Sequence, residues 1–210
     1  MAWPLKSLSK TLKAAAISCL FLGIVAPSIS QASDTSLHLE AMAKMGILNG
    51  SYTGQDATGR FIANGALEIE ADLFTSPGLA WAIRSVIAND VATSRTRYFY
   101  TGIGQRYFFG PHGFESFAHD GADTMHIRPK LRYFIGIDAG IAQVLVIPYG
   151  KILGSYATTA DGNAMAGARW GFSKSMSFDA TVGMGVGTGI STMNVTIFTT
   201  RVLLGFVYAF

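Results

Sequence analysis

Alternation of apolar and polar side chains is the strongest pattern in this chain. In the stretch from Ser36 to Ile47, for example, Leu, Ala, Met and Ile at odd positions alternate with mostly polar residues or glycine. Successive side chains of a β-strand point to opposite faces, so a period of two predicts strands with one apolar and one mixed face. The predicted strands are Ser36–Ile47, Leu67–Leu73, Leu79–Ile87, Arg97–Phe109, Leu131–Ile141, Ala164–Phe172, Phe178–Val186 and Thr196–Phe210.

Turn-forming residues separate these strands and predict the connections. The strand count of eight is even, which places both chain ends on one side of an antiparallel sheet. Ten strands would result if Gly110–Pro129 or Val144–Leu153 contained a further pair. The faces of Arg97–Phe109 cannot be sorted, because both carry aromatics. The predicted loops and turns are Asn49–Gly59, Ser76–Gly78, Ala88–Ser94, Gly110–Pro129, a long loop at Val144–Asn163, Ser173–Ser175 and Gly189–Asn194.

Charged residues lie on the mixed faces. Glu68, Glu70 and Asp72 share one face of a strand. Each of these carboxylates would destabilise the folded barrel if that face met lipid, so they are predicted to point inward. Near-balanced charges in the narrow interior of an eight-stranded barrel predict pairing that fills the lumen. The alternative is that part of them lie unpaired at wetted rims. The predicted lumen-facing charges are Glu40, Lys44, Glu68, Glu70, Asp72, Arg84, Arg132, Asp138, Arg169, Asp179 and Arg201.

Composition decides which face of the strands is outside. Half of the residues are hydrophobic and only 14% are charged, yet beyond the N-terminus no apolar run is long enough for a spanning helix. Interleaved hydrophobicity of this kind favours an all-β, antiparallel up-and-down barrel that crosses a membrane. The alternative is a soluble barrel of lipocalin type, which would need a charged exterior.

The N-terminus has the three parts of a secretory signal peptide. Three lysines precede an apolar segment, Ala14–Val25, that is too short to span a membrane, and small residues follow up to Ala32. We expect export and cleavage after Ala32, which leaves residues 33–210 as the barrel. The alternative is a lipoprotein anchored on Cys19, although the preceding residues match a lipobox poorly.

Loss of this signal would change the charge of the chain. It removes three lysines, so 16 − 3 = 13 basic residues remain against 13 acidic ones, and nucleic-acid binding loses its main support. It also removes the single cysteine, so the stability of the exported chain is expected to come from a closed hydrogen-bonded sheet. No cofactor is predicted.

The last strand carries a family resemblance. Phe206, Tyr208 and Phe210 stand at alternate positions, with Phe210 as the final residue. This ending resembles the closing strand of bacterial outer-membrane β-barrels, where such residues are the assembly signal. The chain is similar to the small outer-membrane protein A or opacity-protein type. The resemblance implies an outer-membrane location, insertion by the barrel-assembly machinery, and contact with membrane lipid and lipopolysaccharide.

The resemblance marks a class of proteins and leaves the activity open. A structural or surface-interaction role is expected, with the Val144–Asn163 loop presented outward and host surface molecules as further partners. A narrow channel and a lipid-modifying enzyme of the outer membrane are the alternatives.

Candidate chemistry concentrates in the irregular segment. Three histidines among carboxylates could bind zinc, but their spacing matches no compact zinc motif. Ser116, His119 and Asp120 could form a hydrolytic triad, which would make the chain similar to lipid A deacylases or palmitoyltransferases, although the motifs of those families are not matched. The residues concerned are His112, Glu115, Ser116, His119, Asp120, Asp123 and His126.

A row of glycines, Gly183, Gly185 and Gly187, occupies one face of a predicted strand. It could make room for large lumen side chains of neighbouring strands, or it could open a slot for an acyl chain. The first interpretation is favoured, because the interior of an eight-stranded barrel is tight.

Overall fold

Ten β-strands make up the described part of the chain. The structure, a computed structural model, describes residues 38–54, 58–91, 95–109, 130–147, 156–190 and 195–210, and the backbone alone of 115–119, 123–127 and 155. No helix in these ranges is long and apolar enough to cross a membrane. The strands are β1 (His38–Gly54), β2 (Thr58–Ser76), β3 (Leu79–Asn89), β4 (Thr96–Phe109), β5 (Glu115–His119), β6 (Asp123–Ile127), β7 (Leu131–Val146), β8 (Ser155–Gly171), β9 (Met176–Gly189) and β10 (Val195–Ala209).

Eight of these strands close into one antiparallel barrel in the order β1-β2-β3-β4-β7-β8-β9-β10, with β10 paired to β1. This closure confirms the predicted fold class. Register pairs followed once around the barrel lead from Ala43 back to Thr53 on the same strand, a stagger of 53 − 43 = 10 residues. Such a stagger in eight strands corresponds to a strand tilt of about 40°.

Both ends of the barrel have a distinct set of connections. At the termini end, where β1 begins and β10 ends, lie the Pro77–Gly78 turn, residues 110–130 and residues 172–175. At the opposite end, called the loop end, four connections join β1 to β2, β3 to β4, β7 to β8 and β9 to β10.

The strands are longer than predicted at the loop end. The expectation of a long loop at Val144–Asn163 is wrong, because β7 continues to Val146 and β8 begins at Ser155. Asp161 and Asn163 look like turn residues, but they pair in register with Gly140 and Asp138 and point inward. The predicted Asn49–Gly59 loop is likewise replaced mostly by paired strand. Small or polar residues on both faces hide the alternation there.

A separate two-stranded sheet, β5 with β6, lies within the irregular segment. The pair foreseen for a ten-stranded chain therefore exists, but it does not join the barrel wall. Since it connects the end of β4 to the start of β7, it belongs to the termini end.

The outward face of the barrel is mostly apolar between its two ends, and it carries no charged residue there within the described ranges. The outward row of β4 runs twelve residues (109 − 97) from Phe109 to Arg97, which at about 3.3 Å per residue and a tilt of about 40° rises about 30 Å. In the described ranges the exposed charged residues all lie near strand ends. They are Arg60, Arg97, Lys130 and Lys174.

Aromatic side chains ring the termini end on the same outward face. Outer-membrane barrels have an apolar band about 25 Å tall that is flanked by such aromatic residues. A soluble barrel would have the reverse arrangement, with a charged exterior. The exposed aromatics near the termini end are Trp81, Tyr107, Phe109, Tyr133, Trp170, Phe172, Phe206, Tyr208 and Phe210.

Candidate functional site

The barrel interior holds the charged residues of the wall. All eleven predicted lumen-facing charges are buried and point inward, and each has an ion-pair partner within 4.0 Å. Arg106 joins them, so six basic and six acidic side chains form one interior ion-pair network. The network is Glu40, Lys44, Glu68, Glu70, Asp72, Arg84, Arg106, Arg132, Asp138, Arg169, Asp179 and Arg201.

Arg169 on β8 is the centre of the network. Its guanidinium nitrogens lie 2.7 Å from Glu40, 2.6 Å from Asp72 and 2.8 Å from Asp179. These three carboxylates come from three different strands, β1, β2 and β9. One side chain therefore ties together strands from opposite walls of the barrel.

The acidic row on β2 supplies the other anchor. Glu68, Glu70 and Asp72 share the inward face of this strand because they are spaced two apart. Lys44 Nζ lies 3.0 Å from Glu68 and 3.2 Å from Glu70, and Arg106 lies 2.5 Å from Glu70. Each carboxylate of this row thus faces at least one cation, as burial of a charge demands.

Arg84 and Arg132 extend the network along the barrel. Arg84 Nη2 lies 2.7 Å from Asp138, and Arg132 Nη2 lies 2.9 Å from Glu40. Asp138 also accepts hydrogen bonds from Tyr100 and from Asn163. Carboxylates and guanidiniums here share hydrogen-bond partners, so the loss of one group would affect several others.

Arg201 is the most weakly neutralised cation of the network. Its nearest carboxylate oxygen in the described residues, on Glu68, lies 3.8 Å away, and it donates a hydrogen bond to Asn163. Beside this pair Asp161 accepts hydrogen bonds from Thr159 and Tyr98. A polar cluster therefore continues the network toward the loop end.

Apolar layers lie on both sides of the charged layer. Toward the termini end, the rings of Phe74, Phe108 and Phe134 pack in a row at tilted angles, with centroids 5.2 and 5.5 Å apart. The Arg169 guanidinium lies 5.1 Å from the Phe108 ring and 5.0 Å from the Phe134 ring, within cation–π range. Toward the loop end is a second apolar layer, formed by Leu48, Phe61, Ala63, Ala66, Val86, Ala88, Tyr98, Tyr100, Ala142, Val144, Ile197 and Leu203.

The glycine row is covered by side chains of the interior. A Cβ atom at Gly183 would lie 3.0 Å from Arg201 Nε, and Cβ atoms at Gly185 and Gly187 would collide with Asn163 and Asp161. This crowding supports the interpretation that the glycines make room for lumen side chains.

Arg106 and Asp161 are interior charges that sequence reasoning missed. Arg106 lies on β4, where both faces carry aromatics, and Asp161 lies in the stretch that was expected to be a loop. The predicted interior set has six acidic and five basic residues, so the need for one further interior cation could have been inferred from this imbalance.

The predicted assembly residues lie on the outward face at the termini end. Phe206, Tyr208 and Phe210 are all exposed, and Tyr208 packs edge-on against Phe210 with ring centroids 4.9 Å apart. Phe206 makes a similar contact with Phe178 of β9, at 5.9 Å. Their pairing to β1 completes the barrel wall.

The weak catalytic and zinc candidates lie partly outside the described residues. His112 and Asp120 are outside, and only the backbone is described for the others. In the β5–β6 register Ser116 is paired with His126, and His119 with Asp123. Positions 116 and 119 belong to opposite faces of β5, because a strand alternates. Among the residues whose side chains are described, no group of three or more His, Cys, Asp or Glu could hold a metal ion.

The similarity of this chain to known proteins is one of fold. No protein-family model matches the chain, and no curated protein sequence is similar to it. The crystal structure of Neisserial surface protein A (NspA) superposes with a TM-score of 0.53 at 12% identity, covering 85% of this chain and 100% of that one. The N-terminal β-barrel domain of Pseudomonas aeruginosa OprF gives a TM-score of 0.50 at 14% identity, covering 82% and 97%. The chain therefore has the fold of the small eight-stranded outer-membrane β-barrels.

Proposed function

We propose that the protein is an integral outer-membrane barrel with a closed lumen, which acts as a stable support for the loops at its loop end. Three features support the membrane location. They are the fold, the apolar exterior about 30 Å tall, and the confinement of exposed charge to the strand ends. The termini end would face the periplasm, and the loop end the outside.

The main support for a closed lumen is that Arg169 forms ion pairs with carboxylates on strands across the barrel. A pore needs a continuous aqueous path, whereas here buried ion pairs join opposite walls across the interior, and clusters of buried apolar residues accompany them. A structural role therefore fits this interior better than a channel does.

The enzyme alternative is weakened by the topology. Ser116 and His119 lie between β4 and β7, at the termini end. In the proposed orientation this end faces the periplasm, away from the outer leaflet where an enzyme acting on lipopolysaccharide would need its catalytic residues. Lipopolysaccharide, the assembly machinery and host molecules stay predicted partners, and the assembly machinery is predicted from the alternating aromatics Phe206, Tyr208 and Phe210.

Planar-bilayer recording of the purified, folded chain tests the closed lumen. We expect no discrete conductance steps, because the charged layer excludes a continuous water column. The control is a gel run with unboiled and boiled samples of the same preparation, in which a mobility shift shows that the barrel is folded. Reproducible steps from a preparation that passes this control would overturn the closed lumen.

A further inference from the structure

Gln105 is a polar side chain on the lipid-facing surface, about one third of the way up the belt from the aromatic end. Gln105 on β4 pairs in register with Trp81 of β3 and Ile137 of β7, two residues that point outward and are exposed. It stands four residues from Phe109 and eight from Arg97 on the same strand. At about 2.5 Å of rise per residue it lies about 10 Å inside the aromatic end and about 20 Å from the charged rim.

The Gln105 amide makes no hydrogen bond to any residue that the structure describes. Its situation differs from that of Ser85 and Thr101 on the same face, whose hydroxyl oxygens lie 3.2 Å apart and satisfy each other. An amide that faces hydrocarbon without a partner is costly, because lipid chains offer neither donor nor acceptor. The group is therefore suited to a partner that buries it at this depth.

We propose that the outward face of β3, β4 and β7 binds a second copy of this chain, with Gln105 at the two-fold axis. A primary amide carries both donors and an acceptor, so two copies related by a two-fold axis can exchange reciprocal hydrogen bonds. A second copy supplies the matching amide at the same depth automatically. Ile103 and Ile137, exposed beside Gln105, would pack around the pair. This inference rests on the proposed membrane location.

Disulfide cross-linking tests which face meets the second copy. Ile103→Cys and Val202→Cys each place a thiol on the outward face, at positions with 54% and 49% exposure. β10 lies four strands from β4 in the eight-stranded ring, on the opposite side of the barrel. In a Cys19→Ser background reconstituted in phospholipid vesicles, we expect a covalent dimer with Ile103→Cys and none with Val202→Cys. Equal cross-linking of both variants, or of Val202→Cys alone, would overturn the assignment of this face.

Removal of the amide tests the role of Gln105 itself. Gln105→Leu should weaken self-association in vesicles, measured by energy transfer between labelled copies, by about 3- to 30-fold. Val202→Leu, on the opposite side of the barrel, should leave it unchanged. Unchanged association of Gln105→Leu would refute the proposal, as would a monomeric wild-type chain or a native-membrane cross-link of Ile103→Cys to a different protein. A normal gel shift in those cases would show that the barrel is folded, so only the dimer proposal would fail. A missing gel shift would instead refute the proposed function.

Discussion

The guanidinium of Arg169 lies 2.6 Å from the carboxylate of Asp72, although the two residues stand on strands at opposite sides of the barrel. β8 and β2 are four strands apart in the ring of eight, so this ion pair spans the full width of the interior. Arg132 of β7 and Glu40 of β1 form a second pair of the same kind, at 2.9 Å. The walls are thus joined across the barrel by ion pairs as well as around it by backbone hydrogen bonds.

Arg169→Met should destabilise the folded barrel by about 3–5 kcal/mol, because it leaves several buried carboxylates without their main cation. Urea-induced unfolding in lipid vesicles measures the change. Lys174→Met, at an exposed position between β8 and β9, is the control and should stay within about 0.5 kcal/mol of the wild type. Equal stability of the two variants would show that the network adds little to the fold.

Substitution by alanine should affect stability differently at two glycines on neighbouring strands, Gly140 and Gly162. A Cβ atom at Gly140 on β7 would collide with the Thr101 carbonyl and lie 2.6 Å from Gly102 Cα, both backbone atoms of β4. Gly140→Ala should therefore cost about 1–3 kcal/mol of unfolding free energy. Gly162 on β8 has no atom within 4 Å of such a Cβ, so Gly162→Ala should be neutral or slightly stabilising. A tolerated Gly140→Ala would contradict the close approach of β4 and β7.

A charge placed on the outward face should be costly only at mid-depth. Ile69 of β2 is 60% exposed in the middle of the apolar belt, whereas Gln143 of β7 is exposed near the loop end. In vesicles Ile69→Arg should lower the free energy of unfolding by about 2–4 kcal/mol, and Gln143→Arg should lower it by about 0–1 kcal/mol. A soluble barrel would tolerate both changes, so similar small losses would argue against a lipid-facing Ile69.

The sequence pattern was sufficient to predict the inward and outward faces of those strands in which charged and apolar residues alternate. Glu68, Glu70 and Asp72 could be assigned to the interior because no lipid-facing surface tolerates three carboxylates in a row. The same reasoning placed Arg169 and Lys44. Which cation meets which carboxylate could not be predicted, because that depends on how strands far apart in the chain face each other across the barrel.

Two regions escaped sequence reasoning for physical reasons. On β4 the inward Tyr100 and Phe108 alternate with the outward Phe99 and Tyr107, so hydrophobicity does not distinguish the faces. The inward Tyr100 and Phe108 lie against the guanidiniums of Arg84 and Arg169, contacts that the sequence pattern does not reveal. Near Asp161 the outward positions are small and the inward ones polar, which imitates a loop even though the backbone is fully paired.

Fluorescence of the native tryptophans in vesicles tests the central claim, that the apolar faces meet lipid and the charges are enclosed. Trp81 and Trp170 are 42% and 57% exposed on the outward face, and a Trp3→Phe variant removes the remaining tryptophan. Lipids brominated on their acyl chains should quench this emission strongly, whereas aqueous iodide should have little effect. Emission that iodide quenches and brominated lipid leaves unchanged would show that the outward face meets water and not lipid.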